Sequence, residues 1–417
     1  MDRERIIKGI KGLDEPRVKR SDIVYQHMRD PSLLRYYYKV KTVAQMSGTE
    51  IFGSSPTDVF VGRFGYPYVN IGPLVPPEFG DTSLLASPER WHGLSIEDIV
   101  NFRSKLVRGM FLSKVTDVEK GRVQEQVRDL AMAERPSDTD VMFAKKPVIK
   151  IDFKDEVQPF GPSAEMKSMD FSNLKANKKV ESLYSDTDAK AVTAIMELYQ
   201  RGVDVTKIQR GLSAGLFGIK NNRKFVPTRW SITAVDDTIS KSNREEVKVY
   251  DPVDAIYAYY HVALDNRWLI LFIPGNWQYE SIEAFYPGTV WNEDGQNVSI
   301  FGSYEGYHGR SKYAEMGGCY YSGRLATTEK LMDIKKQAVV LILREVHDGY
   351  TMPVGVWNVR EYVRETLTTM PVALNNLGEM FDYMESKMQI RRADWIANSR
   401  ILKDLVTQRR ISQYLTG

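Results

Sequence analysis

The sequence predicts an α+β protein with a mixed, largely antiparallel sheet, packed helices and two closely associated parts. Two apolar runs, 254–264 and 267–273, flank Asp265-Asn266, a pair of residues typical of a tight turn between antiparallel strands. No regular strand–helix alternation, which a doubly wound parallel sheet requires, accompanies them. Helical apolar periodicity is clear at 186–201, 372–388 and 393–406.

Composition narrows the class of protein. With 417 residues, 42% hydrophobic and 27% charged, the chain has the profile of a globular protein of two or three domains. The net charge of +3 does not indicate nucleic-acid binding by itself. Cys319 is the one cysteine, which excludes an internal disulfide and favours a cytoplasmic location. No signal peptide or membrane span is expected.

We predict four regions along the chain. A basic segment occupies 1–50, an α+β domain occupies 51–290, a second domain occupies 300–406, and a short interaction tail occupies 408–417. The boundary is placed at 287–309, where glycine and polar residues are dense.

Hydrophobic periodicity and the residues that flank each apolar run predict further helices and strands. Ser95 and Asp98 form a capping signal ahead of a helix that extends through Val107. Other helices are expected at 119–133 and 205–217. Strands are expected at 59–61, 68–71, 147–153, 225–235, 338–346 and 353–359.

The segment 54–77, which we call the organising segment, is central to these predictions, because three glycines and five prolines surround two short apolar runs. The turn between the runs carries Gly62, Arg63 and Gly65. Glycines allow backbone N–H groups to form an anion-binding concavity, and Arg63 adds a planar fork suited to phosphate. The alternative is a tight hairpin in which Arg63 pairs with a surface acid.

A second informative segment combines Arg229 with Asp236 and Asp237. A base and two acids on one strand would suit a ligand site. Neighbouring strand residues point to opposite faces, however, so both acids do not easily share a metal. A structural ion pair with Arg229 is the alternative, and no metal is predicted.

Glycine, arginine and aromatic residues recur at 306–312 and 317–324, a composition suited to phosphate contacts and base stacking. Here His308 is a candidate general acid or base and Arg310 a candidate phosphate ligand. A histidine in such a loop is also commonly an ordinary polar group.

Several motifs together resemble the archaeal Nre family of DNA repair proteins. They are Ser55-Pro-x-x-Val-Phe-Val-Gly-Arg-x-Gly-Tyr-Pro-x-Val-Asn-x-Gly-Pro73, Val226-Pro-Thr-Arg-Trp-Ser-Ile-Thr-Ala-Val-Asp-Asp237, Gly306-Tyr-His-Gly-Arg310 and Pro353-Val-Gly-Val-Trp-Asn-Val-Arg-Glu361. The resemblance implies archaeal DNA repair together with the PCNA sliding clamp, and contact with DNA or a nucleotide. Many members are expected to begin with a cysteine-bearing, zinc-finger-like motif, which this chain lacks, so neither zinc nor another cofactor is expected. Catalytic residues stay unknown, and an enzyme acting on a nucleotide or DNA end, or a nucleotide-sensing module, are alternatives.

The C-terminal tail matches the clamp-binding pattern of the proteins that the chain resembles. Gln408 is followed by Ile411, Tyr414 and Leu415, whose spacing puts the three apolar side chains on one helical face. Continuing the preceding helix would turn this face away from the apolar side of that helix. The tail is therefore expected to need a partner of its own.

Overall fold

The computed structural model describes residues 41–42, 46, 48–148, 160–289, 291–292, 295–350, 352 and 354–407. Within these residues the chain forms two compact units. The N-terminal unit holds the described residues up to Thr238 together with 352, 354 and 355. The C-terminal unit holds Ile239–Tyr350 and the described residues from Val356 onward. This division by compactness differs from the limits predicted from the sequence, which stay a prediction.

The N-terminal unit is built on a six-stranded mixed sheet. Its strands are β1 (Glu50–Ser55), β2 (Val59–Val61), β3 (Tyr68–Val75), β4 (Val107–Lys114), β5 (Ser137–Phe143) and β6 (Ser163–Ser172). They lie in the order β1-β5-β6-β4-β3-β2, with β4 and β6 parallel and the other four pairs antiparallel. The organising segment thus supplies an edge strand, β2, and the strand beside it.

Six helices begin in this unit. They are α1 (Ile96–Ser104), α2 (Arg122–Met132), α3 (Lys178–Ser185), α4 (Ala191–Gln200), α5 (Val205–Ser213) and α6 (Thr228–Val247). The predicted capping box is present at α1, where Ser95 Oγ accepts the N–H of Asp98 at 3.1 Å and the Asp98 carboxylate accepts the N–H of Ser95. Helix α5 contacts β2, α2 and α4, which brings it against the organising segment.

The C-terminal unit has a second mixed sheet. Its strands are β7 (Ile256–Ala263), β8 (Asn266–Ile273), β9 (Gln278–Phe285), β10 (Ser299–Glu305), β11 (Val339–Val346) and β12 (Val372–Leu374), in the order β10-β9-β11-β8-β7-β12. The β9–β11 pair is parallel and the others are antiparallel. Every residue of the central strand β11 is buried, as expected for a strand covered on both faces.

Five further helices pack around this sheet in the described part of the C-terminal unit. They are α7 (Gly318–Ile334), α8 (Trp357–Thr368), α9 (Leu377–Lys387), α10 (Arg392–Asn398) and α11 (Arg400–Thr407). One core cluster joins Leu271 and Leu341 of the sheet with Met384, Trp395 and Leu402 of the last three helices. Residues of β8 that alternate with Leu271 point to the other face of the sheet. There the ring of Trp268 stacks on that of Tyr362 from α8, with a centroid distance of 6.5 Å. The prediction of an α+β protein with a mixed, largely antiparallel sheet is confirmed.

Several predicted elements are wrong. Residues 225–235 are not a strand, because α6 begins at Thr228. The strand predicted at 353–359 is wrong from Trp357, where α8 begins, and the glycine-rich segment 317–324 lies almost entirely in α7. Helix α1 ends at Ser104, so Val107 belongs to β4. The strand predicted at 147–153 lies mostly outside the described residues.

Among the described helices, none has both the length and the apolarity needed to cross a bilayer.

Candidate nucleic-acid-binding site

The organising segment folds as edge strand β2, a tight turn, and β3. Gly65 has a φ of +84°, and a Cβ there would lie 2.8 Å from the carbonyl oxygen of Tyr68, so the turn requires glycine. The N–H of Gly62 donates to the carbonyl oxygen of Asn70 at 2.8 Å. Because sheet pairing already uses this N–H, it is not available to an anion.

The start of helix α6 packs against this turn. The N–H of Val61 donates to Thr228 Oγ1 at 2.9 Å, and the rings of Tyr66 and Trp230 lie 5.3 Å apart. Arg229 lies between Thr228 and Trp230 in the first turn of the helix. The structure therefore brings together the Arg63 and Arg229 segments, which are separated by more than 160 residues in the sequence.

Aromatic side chains are exposed around the turn. Phe64 is 70% exposed, Tyr66 51%, Tyr68 53% and Trp230 46%, and a group of exposed apolar side chains of this kind is typical of an interaction site. Tyr68 pairs in register with the exposed Lys114 on β4. Since paired strand residues share a face, a cation lies beside this aromatic group.

Arg63 contacts one of these rings. Its guanidinium carbon is 5.0 Å from the centroid of Phe64, within the range of a cation–π contact. Its Nε is buried and has no hydrogen-bond partner within the described residues. Buried guanidinium N–H groups are normally paired, so Arg63 has hydrogen-bonding capacity that the described residues do not use. The alternative, pairing of Arg63 with a surface acid, finds no counterpart in the described part of the chain.

Asp236 and Asp237 lie two helical turns further along α6. Asp236 is fully buried and accepts a hydrogen bond from Gln209 Nε2 at 2.8 Å. Arg229 and Asp237 are half-buried, and each makes contacts of its own. Within the described residues no group of acidic, histidine or cysteine side chains is arranged to hold a metal ion. Asp236 thus has a packing role in this unit.

The first half of the motif, before β2, holds a buried ion-pair cluster. The two oxygens of Asp58 contact Arg103 Nη1 and Arg210 Nε, each at 2.9 Å. Burial alone would raise the pKa of Asp58, but Arg210 and Arg103 together outweigh it and lower the pKa. The cluster ties α1 and α5 to the start of β2.

Comparison with known proteins agrees with the motifs. The model of the family "Archaeal Nre, N-terminal" matches residues 28–292, and "Archaeal Nre, C-terminal" matches residues 305–414. The chain belongs to the archaeal Nre family of DNA repair proteins.

Three characterised relatives cover most of this Nre chain. DNA repair protein NreB of Archaeoglobus fulgidus is 41% identical over 85% of this chain and 89% of its own length. DNA repair protein NreA of Haloferax volcanii is 34% identical over 87% and 89%, and NreA of A. fulgidus is 31% identical over 84% and 88%. No solved structure matches.

The remaining predicted residues of this Nre protein, His308 and Arg310, belong to the C-terminal unit. His308 is exposed in a turn closed by Gly306 and Gly309, with its ring 5.4 Å from that of Tyr307. Arg310 donates to the carbonyl oxygen of Tyr304 and to the Glu315 carboxylate, each at 2.7 Å. These bonds hold the loop, so the structure gives Arg310 a structural role there.

The segment 317–324 was wrongly interpreted as a nucleotide surface. Arg324 of α7 is buried and binds Glu305 at 2.7 Å and Ser240 Oγ at 3.1 Å. At Gly323 a Cβ would lie 2.6 Å from the hydroxyl of Tyr279, so this glycine permits close packing of helix on sheet.

Sequence reasoning missed the aromatic part of the candidate site. Phe64, Tyr66, Tyr68 and Trp230 were visible in the motifs, but each was assigned to a turn or a buried strand. The available signal was the density of aromatic residues within a turn, where few are needed for packing.

Proposed function

We propose that this Nre protein acts in DNA repair by binding single-stranded DNA at the surface formed by Arg63, Phe64, Tyr66, Tyr68 and Trp230. We call this set the aromatic surface. The observation that carries the proposal is the exposed pairing of Tyr66 with Trp230 beside Arg63, whose Nε lacks a partner in the described chain.

The chemistry of such a surface suits unpaired bases. Every base has a π-face, and stacking on an aromatic side chain contributes about 1–3 kcal/mol per base without reading sequence. Arg63 and Lys114 add positive charge for the phosphates between the bases. Duplex DNA hides its base faces, so we expect a preference for single strands, gaps or frayed ends.

The test substitutes one stacking and one charged residue. Trp230→Ala is expected to weaken binding of a fluorescent single-stranded oligonucleotide about five- to a hundredfold. Arg63→Ala is expected to weaken it about tenfold or more, because a charged hydrogen bond contributes roughly 1.5–3 kcal/mol. Arg63→Ala also reduces the slope of log affinity against log salt, whereas Trp230→Ala leaves that slope unchanged.

Arg122→Ala is the matched control, since Arg122 is an exposed arginine of the same unit that pairs with Asp170. It is expected to bind DNA like the unmodified protein. If all three variants bind equally, or if no single-strand preference exists, the aromatic surface serves another purpose, such as docking of a protein.

We further propose that the tail docks on the PCNA sliding clamp through Gln408, Ile411, Tyr414 and Leu415. These residues lie outside the described part of the chain, so the proposal rests on their spacing and on the family resemblance. The described helix α11 buries Ile401 and Leu402 before Thr407, its last residue. The buried apolar residues of that helix thus lie in its first turn, several residues before the tail.

The clamp proposal is tested with two tail variants and a truncation. Tyr414→Ala and deletion of 408–417 are expected to abolish clamp binding in isothermal titration calorimetry, with no change in melting temperature. Gln413→Ala, inside the tail but outside the pattern, is the control. Retained clamp binding by the truncated chain would refute this part of the proposal without affecting the aromatic surface.

A further inference from the structure

A cleft of about 200 Å³ opens at the start of helix α5, within the N-terminal unit. It is many times the space that a single water needs. Its walls come from the loop before β2, the 3₁₀ helices before α1, the loop before β5, α3 and α5. Thr57 on the wall has a φ of +63°, a strained conformation for a β-branched residue that recurs at binding sites.

Cations dominate the side chains that face the cleft. Arg135, Lys179, Lys207 and Arg210 come from three elements, the loop before β5, α3 and α5, against two acids, Glu89 and Asp204. Glu89 is already engaged, because its carboxylate accepts the N–H of Thr206 at 3.1 Å. The nearby Asp58 is shared between Arg103 and Arg210. With four cationic and two acidic side chains in its lining, the cleft keeps an excess of positive charge.

Arg210 and Lys179 are hydrogen-bonded within the protein, whereas Arg135 is not hydrogen-bonded within the described residues. Arg210 is held by Asp58 and by the carbonyl oxygen of Ala86, and Lys179 donates to the carbonyl oxygen of Arg201 at 2.6 Å. Arg135 is exposed and has no hydrogen bond or ion pair within the described residues. A guanidinium held in place and a second guanidinium without a partner among the described residues can together contact one tetrahedral anion.

We propose that this cleft binds a phosphate group, held by Arg135, Lys207 and Arg210 at the N-terminal end of α5. The positive end of the helix dipole adds to the same potential. The ligand class is a phosphate monoester or inorganic phosphate. None of the residues that line the cleft belongs to the aromatic surface. The proposal does not depend on DNA binding there.

Lys207 makes this binding sensitive to pH. Its amine donates to the carbonyl oxygen of Ala133. Burial, and then repulsion by Arg210, lower the pKa of Lys207 to about 7, with Asp58 opposing them. In the empty cleft the amine is therefore about half protonated at neutral pH. A bound phosphate favours the charged amine, so binding takes up a proton and weakens as the pH rises above 7.

Sulfate is the probe for the pH profile, since it is a dianion that does not titrate in this range. Between pH 6.5 and pH 8.5 the affinity of the unmodified protein for sulfate is expected to fall about tenfold or more. Lys207→Arg stays charged throughout and is expected to show a nearly flat profile with affinity retained at pH 8.5. Lys207→Met is expected to show a flat profile and weak binding at every pH.

Calorimetry in buffers of different ionisation enthalpy measures the proton taken up on binding. Lys220→Met, an exposed lysine outside the cleft, is the control for loss of a positive charge. A nucleoside 5′-monophosphate is expected to compete with sulfate, and the nucleoside without phosphate is not. Sulfate binding by Lys207→Met equal to that of the unmodified protein would overturn the proposal. So would a pH dependence in Lys207→Arg that parallels the unmodified protein.

Discussion

Asp58 is the residue on which the two halves of the organising motif depend. It contacts both Arg103 from α1 and Arg210 from α5, and it lies directly before β2. A buried carboxylate with two buried guanidinium partners is stable only as a complete cluster, because loss of one partner leaves an uncompensated charge. The complete ion-pair cluster therefore stabilises two neighbouring features: the cleft, whose wall includes the loop before β2, and the turn that follows β2.

Asp58→Asn is expected to destabilise the protein by about 3–5 kcal/mol at pH 7. Because the folded-state pKa of Asp58 is lowered, its contribution is present above its unfolded pKa of about 3.9 and is lost as the pH falls through the folded value. The difference between the two proteins should therefore shrink below pH 4. Denaturant unfolding at pH 7 and pH 3 measures both effects.

Asp170→Asn is the matched control, because Asp170 pairs with Arg122 on the surface, where both side chains are well exposed. An exposed ion pair contributes under about 1 kcal/mol. Equal losses in the two variants, or a loss in Asp58→Asn that persists unchanged at pH 3, would contradict the buried-cluster account.

The sequence predicted the roles of individual residues less well than it predicted the fold. Arg63 was recognised from its glycine neighbours, and it does carry an unpaired buried N–H within the described chain. Lys207 was not recognised, because a lysine in an amphipathic helix resembles any solvated lysine. The pKa of Lys207 is lowered first by burial and then by repulsion from Arg210, one turn along the helix. Burial depends on elements distant in sequence.

Among the secondary-structure elements, helix α6 shows why the apolar pattern at 225–235 wrongly predicted a strand. Its buried positions include Ser231, Val235, Ile239 and Val247, which recur at helical spacing, but Asp236, Ser240 and Asn243 are buried as well. Polar residues on the buried face weaken the 3.6-residue hydrophobic period. Pro227 immediately before the helix was the better signal, because proline favours helix starts. By contrast, the capping box at α1 was predicted correctly from two residues.

Helix α11 is anchored at its first turn. Ser399 Oγ accepts the N–H of Leu402 at 2.9 Å and donates to Glu280 at 2.6 Å. The Glu280 carboxylate also accepts the N–H groups of Arg400 and Ile401. The last described helix, and with it the attachment of the tail, is thus held by one buried carboxylate of β9.

Ser399→Ala is expected to destabilise the C-terminal unit by about 1–2 kcal/mol, through the lost cap and the lost bond to Glu280. Hydrogen exchange at the amides of α11 should accelerate more than elsewhere in the unit. Ser386→Ala, an exposed serine of α9, is the control. Unchanged protection of α11 in Ser399→Ala would show that packing of Ile401 and Leu402 alone holds the helix.

For the whole molecule, the α+β class followed from hairpin signals without strand–helix alternation, and both sheets are mixed and mostly antiparallel. The β7–β8 hairpin was predicted one residue off, because its two-residue turn is Leu264-Asp265, both with positive φ, and Asn266 begins β8. Strands β9 and β10 were missed, because polar residues such as Glu280 and Glu283 are buried in them and interrupt their apolar pattern.

The position of β11 has a consequence for synthesis on the ribosome. Strands β7 and β8 form one hairpin and β9 and β10 another, and β11, made later, inserts between β8 and β9. Until residue 346 leaves the exit tunnel, each hairpin has an unpaired edge, and that of β8 is almost wholly apolar. Nascent chains are therefore expected to be most prone to aggregation after β10 has left the exit tunnel and before β11 has left it, and a chaperone would be needed most in that interval.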